Sequence, residues 1–256
     1  MDASLNLATS VGPVIAAGVA CRLAAAVTVA TVPAFPGVSV RTRVALALAL
    51  AAVALPAALE SGPTSIAPWP LVLVGEAIVG GVLGTAIALV VAAAGWAGTL
   101  LGSVSGLSWA DDFDPGSEQA TAGIGRLAWW VGAAAFVTAG GQLVVVKSLI
   151  DSLAIVPVGT ASQGDALLAE IMPLAIDALS MALRIAITLA LPAVAAVVAF
   201  HLASTICLRV VSLSPGAGLV QGLAAIVLLA AFWCGLDAWG GTGAGLMQSA
   251  VEQIIK

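Results

Sequence analysis

Glu76, Asp177, Arg184 and His201 each stand inside a long apolar run, and they are the residues with which this chain could do chemistry. An ionisable group within a membrane span costs about 2.5–3.5 kcal/mol on insertion scales, so it needs a partner or a path of water. Carboxylates converging at one depth would make a proton or ion relay. Here they are scattered: Glu76 lies five residues into its run, while Asp177 and Arg184 are seven apart, two turns along one helix face. That pattern favours polar ties between packed helices. Arg126, at the head of a later run, is grouped with Glu76, Asp177 and Arg184 as buried polar residues of structural role. His201 has no second histidine, cysteine pair or carboxylate at helical spacing, so no metal site is expected on it. Ser108, Ser204 and Ser212 lack the Gly-x-Ser-x-Gly setting of an activated nucleophile. Cys21, Cys207 and Cys234 sit in apolar runs without Cys-x-x-Cys spacing and read as small buried hydrophobes. Neither an enzyme nor a bound cofactor is expected.

The elements that must position these residues are set by composition. The chain is 61% hydrophobic and only 8% charged, against about 25% charged residues in an ordinary soluble domain. So much apolar surface requires lipid or other apolar protein as its solvent. The net charge of −5, with no basic block, argues against nucleic acid as a partner. The first residues lack the basic region of a cleaved signal peptide, so the first apolar run is expected to be kept as a membrane segment.

Six apolar segments are expected, at residues 11–32, 42–59, 71–101, 127–146, 172–207 and 216–239, forming an all-α polytopic membrane protein with a single domain over residues 1–256. Arg22 interrupts the first, and Arg41 and Arg43 follow it, which puts the first connection in the cytoplasm and the N-terminus outside. The third is too long. A straight helix over it would extend about 45 Å, against a hydrocarbon core of about 30 Å. It must tilt, bend, or be covered by protein. The fifth is overlong too, and Pro192 is expected to kink it. The fourth has the ordinary length of one crossing.

Glycines recur at four-residue spacing: Gly80 with Gly84, then Gly98, Gly102 and Gly106. Such spacing lines one helix face, where the missing side chain lets another backbone approach closely. Close helix packing is expected at Gly80, Gly84, Gly98 and Gly102. The segment Gly106-Leu107-Ser108-Trp109-Ala110-Asp111-Asp112-Phe113-Asp114-Pro115-Gly116-Ser117 separates two apolar runs. It begins too apolar for a purely solvated loop and continues too polar to face lipid. Irregular backbone of that kind is tolerated at membrane depth only where protein or a water-filled cavity surrounds it.

At these residues the chain resembles the FliR family of the flagellar export gate, whose injectisome counterpart is SctT. The resemblance is carried by Gly106-Leu107-Ser108-Trp109-Ala110, then Asp114-Pro115, then Arg126-Leu127. In the same order along the chain stand Arg41-Thr42-Arg43-Val44-Ala45-Leu46, Gly75-Glu76-Ala77-Ile78-Val79-Gly80, and Leu149-Ile150-Asp151-Ser152 with the later Pro157. The chain departs from the family pattern at Gly140-Gly141-Gln142, where a histidine is usual, and at residues 212–218.

The resemblance implies a fold like a FliP-like part fused to a FliQ-like part, with long kinked helical hairpins. It implies assembly with FliP-like and FliQ-like subunits and an FlhB-like switch protein in the bacterial inner membrane, at the flagellar basal body. Unfolded export substrates would pass through that assembly. Gly106, Leu107, Ser108, Trp109, Phe113, Asp114 and Pro115 would then form the plug of the closed pore. The alternatives are an injectisome SctT subunit or, in a different class, a proton-coupled secondary transporter built on Glu76, Asp177 and Arg184.

Overall fold

The computed structural model describes residues 2–34, 38–61, 68–106, 123–160, 164–211 and 216–254. Its elements are α1 (Asp2–Ala34), α2 (Val40–Ser61), α3 (Trp69–Ser105), α4 (Gly123–Thr138), α5 (Gly141–Ile155), α6 (Gly164–Val211), α7 (Ala217–Cys234), a short turn α8 (Leu236–Ala238), a π-helical segment (Trp239–Gly243) and α9 (Ala244–Ile254). The fold is all-α, with no strand among the described residues. Among the described residues, four helical stretches are long and apolar enough to cross a membrane: Gly12–Thr31, Val40–Glu60, Trp69–Ser105 and Met172–Val211. Two bent helix pairs, α4 with α5 and α7 with α9, bring the spans to as many as six. The protein is a polytopic membrane protein.

The third and fifth runs are continuous helices. At 1.5 Å per residue, α3 is about 55 Å long and α6 about 72 Å, and α6 continues through Pro192 without a break in its helical course. The fourth run differs from expectation. It is broken after Thr138, because Gly140 takes φ +84° and ends α4 in a left-handed turn. The amides of Ala139 and Gly140 close that turn on the carbonyls of Ala135 and Val137, each at 3.0 Å. A left-handed glycine of this kind is a common helix terminator. Gly141 is held as closely, since a Cβ there would overlap the Phe136 ring. Hydropathy reads Ala139-Gly140-Gly141 as more apolar chain; the backbone reads it as a stop.

The chain forms two compact units: Met1–Val90 with Gln142–Ser180 and Ser249–Lys256, and Val91–Gly141 with Met181–Gln248. In the first, α1 packs along α2, and Ile15, Val19, Leu23 and Ala26 form the buried stripe of α1 at helical spacing. They meet Ala51, Ala54 and Ala58 of α2, Val72, Val79, Leu83 and Ile87 of α3, and Leu149 and Leu153 of α5. In the second, α3 and α4 come together through small residues. A Cβ on Gly98 would lie 2.6 Å from the Ala128 Cβ, 2.7 Å from the Gly125 Cα and 2.8 Å from the Ile124 carbonyl oxygen. A Cβ on Gly132 would overlap Ala94. Gly98 is thus met by α4 of its own chain, and Gly102 is buried beside it in sequence.

Adding atoms at these contacts is expected to be costly. Gly98→Val should destabilise the solubilised protein by about 1–3 kcal/mol through overpacking. Gly222→Ala, where a Cβ would meet nothing within 4 Å, should be neutral or mildly stabilising. Thermal unfolding followed by tryptophan fluorescence compares the two, and equal effects would refute the packing assignment.

Candidate functional site

The most constrained polar site lies in the first unit, where α1 and α3 cross. Arg22 falls on the stripe of α1 that also carries Val19, Leu23 and Ala26, so its guanidinium has no route except into the core. Glu76 falls likewise on the Val72–Val79–Leu83 face of α3. One turn beyond Glu76, a Cβ on Gly80 would overlap the Arg22 carbonyl oxygen, and one turn further a Cβ on Gly84 would overlap that of Ala26. The two glycines therefore bring the backbone of α3 against that of α1. The side chains one turn away then meet. Arg22 Nε donates to Glu76 Oε2 at 2.5 Å, with both side chains fully buried.

The pair also takes hold of a third segment. Arg22 Nη1 donates to the Ser152 carbonyl oxygen at 3.1 Å, in the last turn of α5, where a cation complements the negative end of the helix dipole. The Gly159 amide donates to Glu76 Oε1 at 3.0 Å. Gly159 sits at φ +94°, in the turn that Thr160 closes on the Pro157 carbonyl through its amide at 3.2 Å and its hydroxyl at 2.8 Å. Gly18 on α1 makes room for this turn, since a Cβ there would lie 2.6 Å from Val158 Cγ1. Ser152 is itself buried, its hydroxyl donating to the Leu149 carbonyl at 2.7 Å. One ion pair thus staples the end of α5 and the turn after it onto α1 and α3.

What the site can do follows from its partners. Both Glu76 oxygens are occupied, one by a guanidinium and one by a backbone amide, and neither donor can pass a proton onward at physiological pH. Arg22 Nη2 is buried with no hydrogen-bond partner among the described residues. An incompletely satisfied buried pair gives little net stability over apolar packing, but breaking it by removing one partner is expensive. The arrangement fixes position.

The other residues expected from the sequence are placed differently. Asp177 and Arg184 are exposed, not buried, because α6 turns the Ala178–Ala182–Ile185 stripe inward and leaves these two on other faces. Arg126 is exposed as well, while Gly125 and Ala128 beside it are buried. Gly106 follows the end of α3 at φ +74°, its amide 3.4 Å from the Ser103 carbonyl, so it is the left-handed residue at which the helix stops. Leu107, Ser108, Trp109, Phe113, Asp114 and Pro115 lie outside the described residues. Among those described, no three His, Cys, Asp or Glu side chains are grouped to hold a metal ion. His201 stacks edge-on with Phe200, ring centroids 5.7 Å apart. Cys21 contacts the Leu73 carbonyl at 3.4 Å, and Cys207 and Cys234 are exposed.

Arg22 was the residue the sequence did not single out. The signal was present, since Arg22 and Glu76 are isolated opposite charges in the first and third apolar runs. Their register only becomes visible once Gly80 and Gly84 are seated on α1.

The chain is an all-α polytopic membrane protein with as many as six spans among the described residues, and its buried ion pair holds α1, α3 and the end of α5 together. Residues 14–247 match the family model of bacterial export proteins, family 1, and the chain belongs to that family, the FliR/SctT family. It is a component of a bacterial type III or flagellar protein-export apparatus, a structural family and not an enzyme family. No curated protein matches the chain.

Removing one member of the pair tests the site. Arg22→Met leaves a buried, unpaired carboxylate and should cost about 3–5 kcal/mol. Adding Glu76→Met should recover much of that loss, so the double variant costs less than the two single variants together. Glu76→Gln should cost about 1–3 kcal/mol, because the amide oxygen can serve only one of two donors while its NH₂ faces the other. Thermal unfolding of the solubilised variants gives the cycle, and strict additivity would show that the two residues are not coupled.

Proposed function

We propose that this chain is the FliR-type subunit of a flagellar export gate, and that with FliP-like and FliQ-like subunits it forms the channel for unfolded export substrates across the inner membrane. In this reading all 256 residues serve as one export-gate domain, an FlhB-like protein engages the assembly, and the gate sits at the basal body. The observation that carries it is the combination of length and exposure in α3 and α6. At about 55 and 72 Å both exceed a hydrocarbon core of about 30 Å. Yet α6 still exposes Met172 and Ile176 beyond the charge-free stretch 185–208, which is by itself long enough to span that core. Apolar surface that outruns the bilayer calls for protein cover, which a gate built from several subunits supplies. The proton-coupled transporter is disfavoured because Glu76, its best candidate, has both oxygens held by donors that do not relay protons.

Gly106 supports the plug assignment for residues 106–115. A left-handed glycine ends α3 there, at the head of a segment whose composition suits neither lipid nor bulk water. Leu107, Trp109 and Phe113 would supply an apolar seal, and Asp114-Pro115 the turn back toward α4.

Two outcomes test this reading. Co-expressed with FliP-like and FliQ-like proteins, the chain should co-purify with both in stable proportion; recovery of the chain alone as an active, solute-moving protein would refute the gate. Deleting residues 108–116 should leave that complex assembled while making cells permeable to small ions. An assembled complex in an ion-tight membrane would remove the plug assignment.

A further inference from the structure

The inward face of α7 carries a polar side chain where an apolar one would pack better. That face is the stripe Ala224, Leu228 and Phe232, buried at helical spacing, and half-buried Gln221 continues it one turn toward the start of the helix. From Leu219 to Phe232 the other residues of α7 are apolar or glycine. A carboxamide on such a stripe is costly unless it meets something polar. A methionine would extend the stripe without that cost.

What Gln221 meets is the end of α3, within the same compact unit. A Cβ on Gly106 would lie 3.5 Å from Gln221 Nε2, 3.6 Å from its Cγ and 3.8 Å from its Cδ. The carboxamide therefore lies against the glycine at which α3 turns left-handed. That end is already drawn tight from within. The Gly106 amide reaches back to the Ser103 carbonyl at 3.4 Å, and the buried Ser105 hydroxyl donates to the carbonyls of Leu101 and Gly102. The last carbonyls of a helix make up its negative end, and a side-chain amino group beside them is favourable. Gln221 brings such a group from a different helix.

We propose that Gln221 is a positioning residue, whose carboxamide holds the end of α3 and so fixes the point from which the segment after Gly106 starts. The inference rests on the reading of residues 106–115 as the plug, since a seal has to begin from a fixed root. It adds a residue of α7, more than a hundred positions away in sequence, to the parts on which that seal depends.

The test separates the carboxamide from the space it fills. Gln221→Met keeps the length of the side chain and suits the apolar stripe. Gln221→Glu keeps its shape but turns a negative charge toward the negative end of α3. Each variant is expressed with the partner subunits beside the wild type and the 108–116 deletion. Small-ion permeability of the cells and thermal unfolding of the purified complex are then measured. The methionine variant should assemble and unfold no earlier than the wild type, yet leak several-fold more, though less than the deletion; the glutamate variant should leak more than the methionine one. A leaking deletion beside an ion-tight methionine variant would overturn the role of Gln221 and leave the plug standing. A tight deletion in an assembled complex would remove the plug reading and this inference with it. Loss of assembly in the methionine variant would show that Gln221 serves packing alone, and would equally overturn the proposal.

Discussion

The placement of α1, α3 and the end of α5 in the first unit depends on a charge that has nowhere else to go. Arg22 lies on the buried stripe of α1, and a guanidinium in that position must find a carboxylate or expel the helix from the core. Glu76 meets this demand only because Gly80 and Gly84 let α3 lie against the α1 backbone. With one more methyl at Gly80, the carbonyl of Arg22 itself would be displaced, and the ion pair would be separated by the same movement. The glycines and the charges are therefore one device. Packing sets the distance, and the pair rejects any other register of the two helices, since a shift of one residue would bury both charges alone.

The device reaches further because a single carboxylate and a single guanidinium have more hydrogen-bonding capacity than they use on each other. The surplus goes to the Ser152 carbonyl and the Gly159 amide. One lies in the last turn of a helix, where the Ser152 carbonyl also accepts from the Val156 amide at 3.0 Å, and one in a left-handed turn. The ion pair therefore ties both stretches of backbone to α1 and α3. A proton-coupled mechanism would need one of these partners to be exchangeable, and a backbone amide and an arginine are not.

Much of the fold was legible in composition alone. Sixty-odd per cent apolar residues with scattered charges leave little besides membrane helices, and the excess length of α3 and α6 could be read from the lengths of their apolar runs. The break at Gly140 was not legible, because hydropathy scores Ala139-Gly140-Gly141 as continuous with its flanks; the signal was conformational, a pair of glycines at a helix end. The candidate site was half legible. Glu76 and the Gly80–Gly84 pair were identified as a buried tie and a packing face. Their common partner on α1 was not, because it depends on which helix those glycines meet, a relation between segments 54 residues apart. Asp177 and Arg184 looked alike to Glu76 in sequence and proved exposed, since nothing in a uniformly apolar helix reveals which stripe the rest of the chain will cover.

That exposure is less costly than it first looks. Residues 185–208 contain no Asp, Glu, Lys or Arg, and they lie between Arg184 and Arg209. As helix they extend about 36 Å, which alone satisfies a hydrocarbon core of about 30 Å. With that stretch in the bilayer, Arg184 and Arg209 fall at its two boundaries, where long cationic side chains reach the headgroups. Asp177 lies about 10 Å further along the helix axis than Arg184, clear of the hydrocarbon. The remaining turns of α6 at that end still expose Met172 and Ile176. Water is a poor solvent for those side chains, and lipid no longer reaches them. The two charges therefore need no burial within this chain, whereas the apolar residues beside them do need a protein surface, and it is this surplus of helix beyond the bilayer that ties the architecture of α6 to assembly.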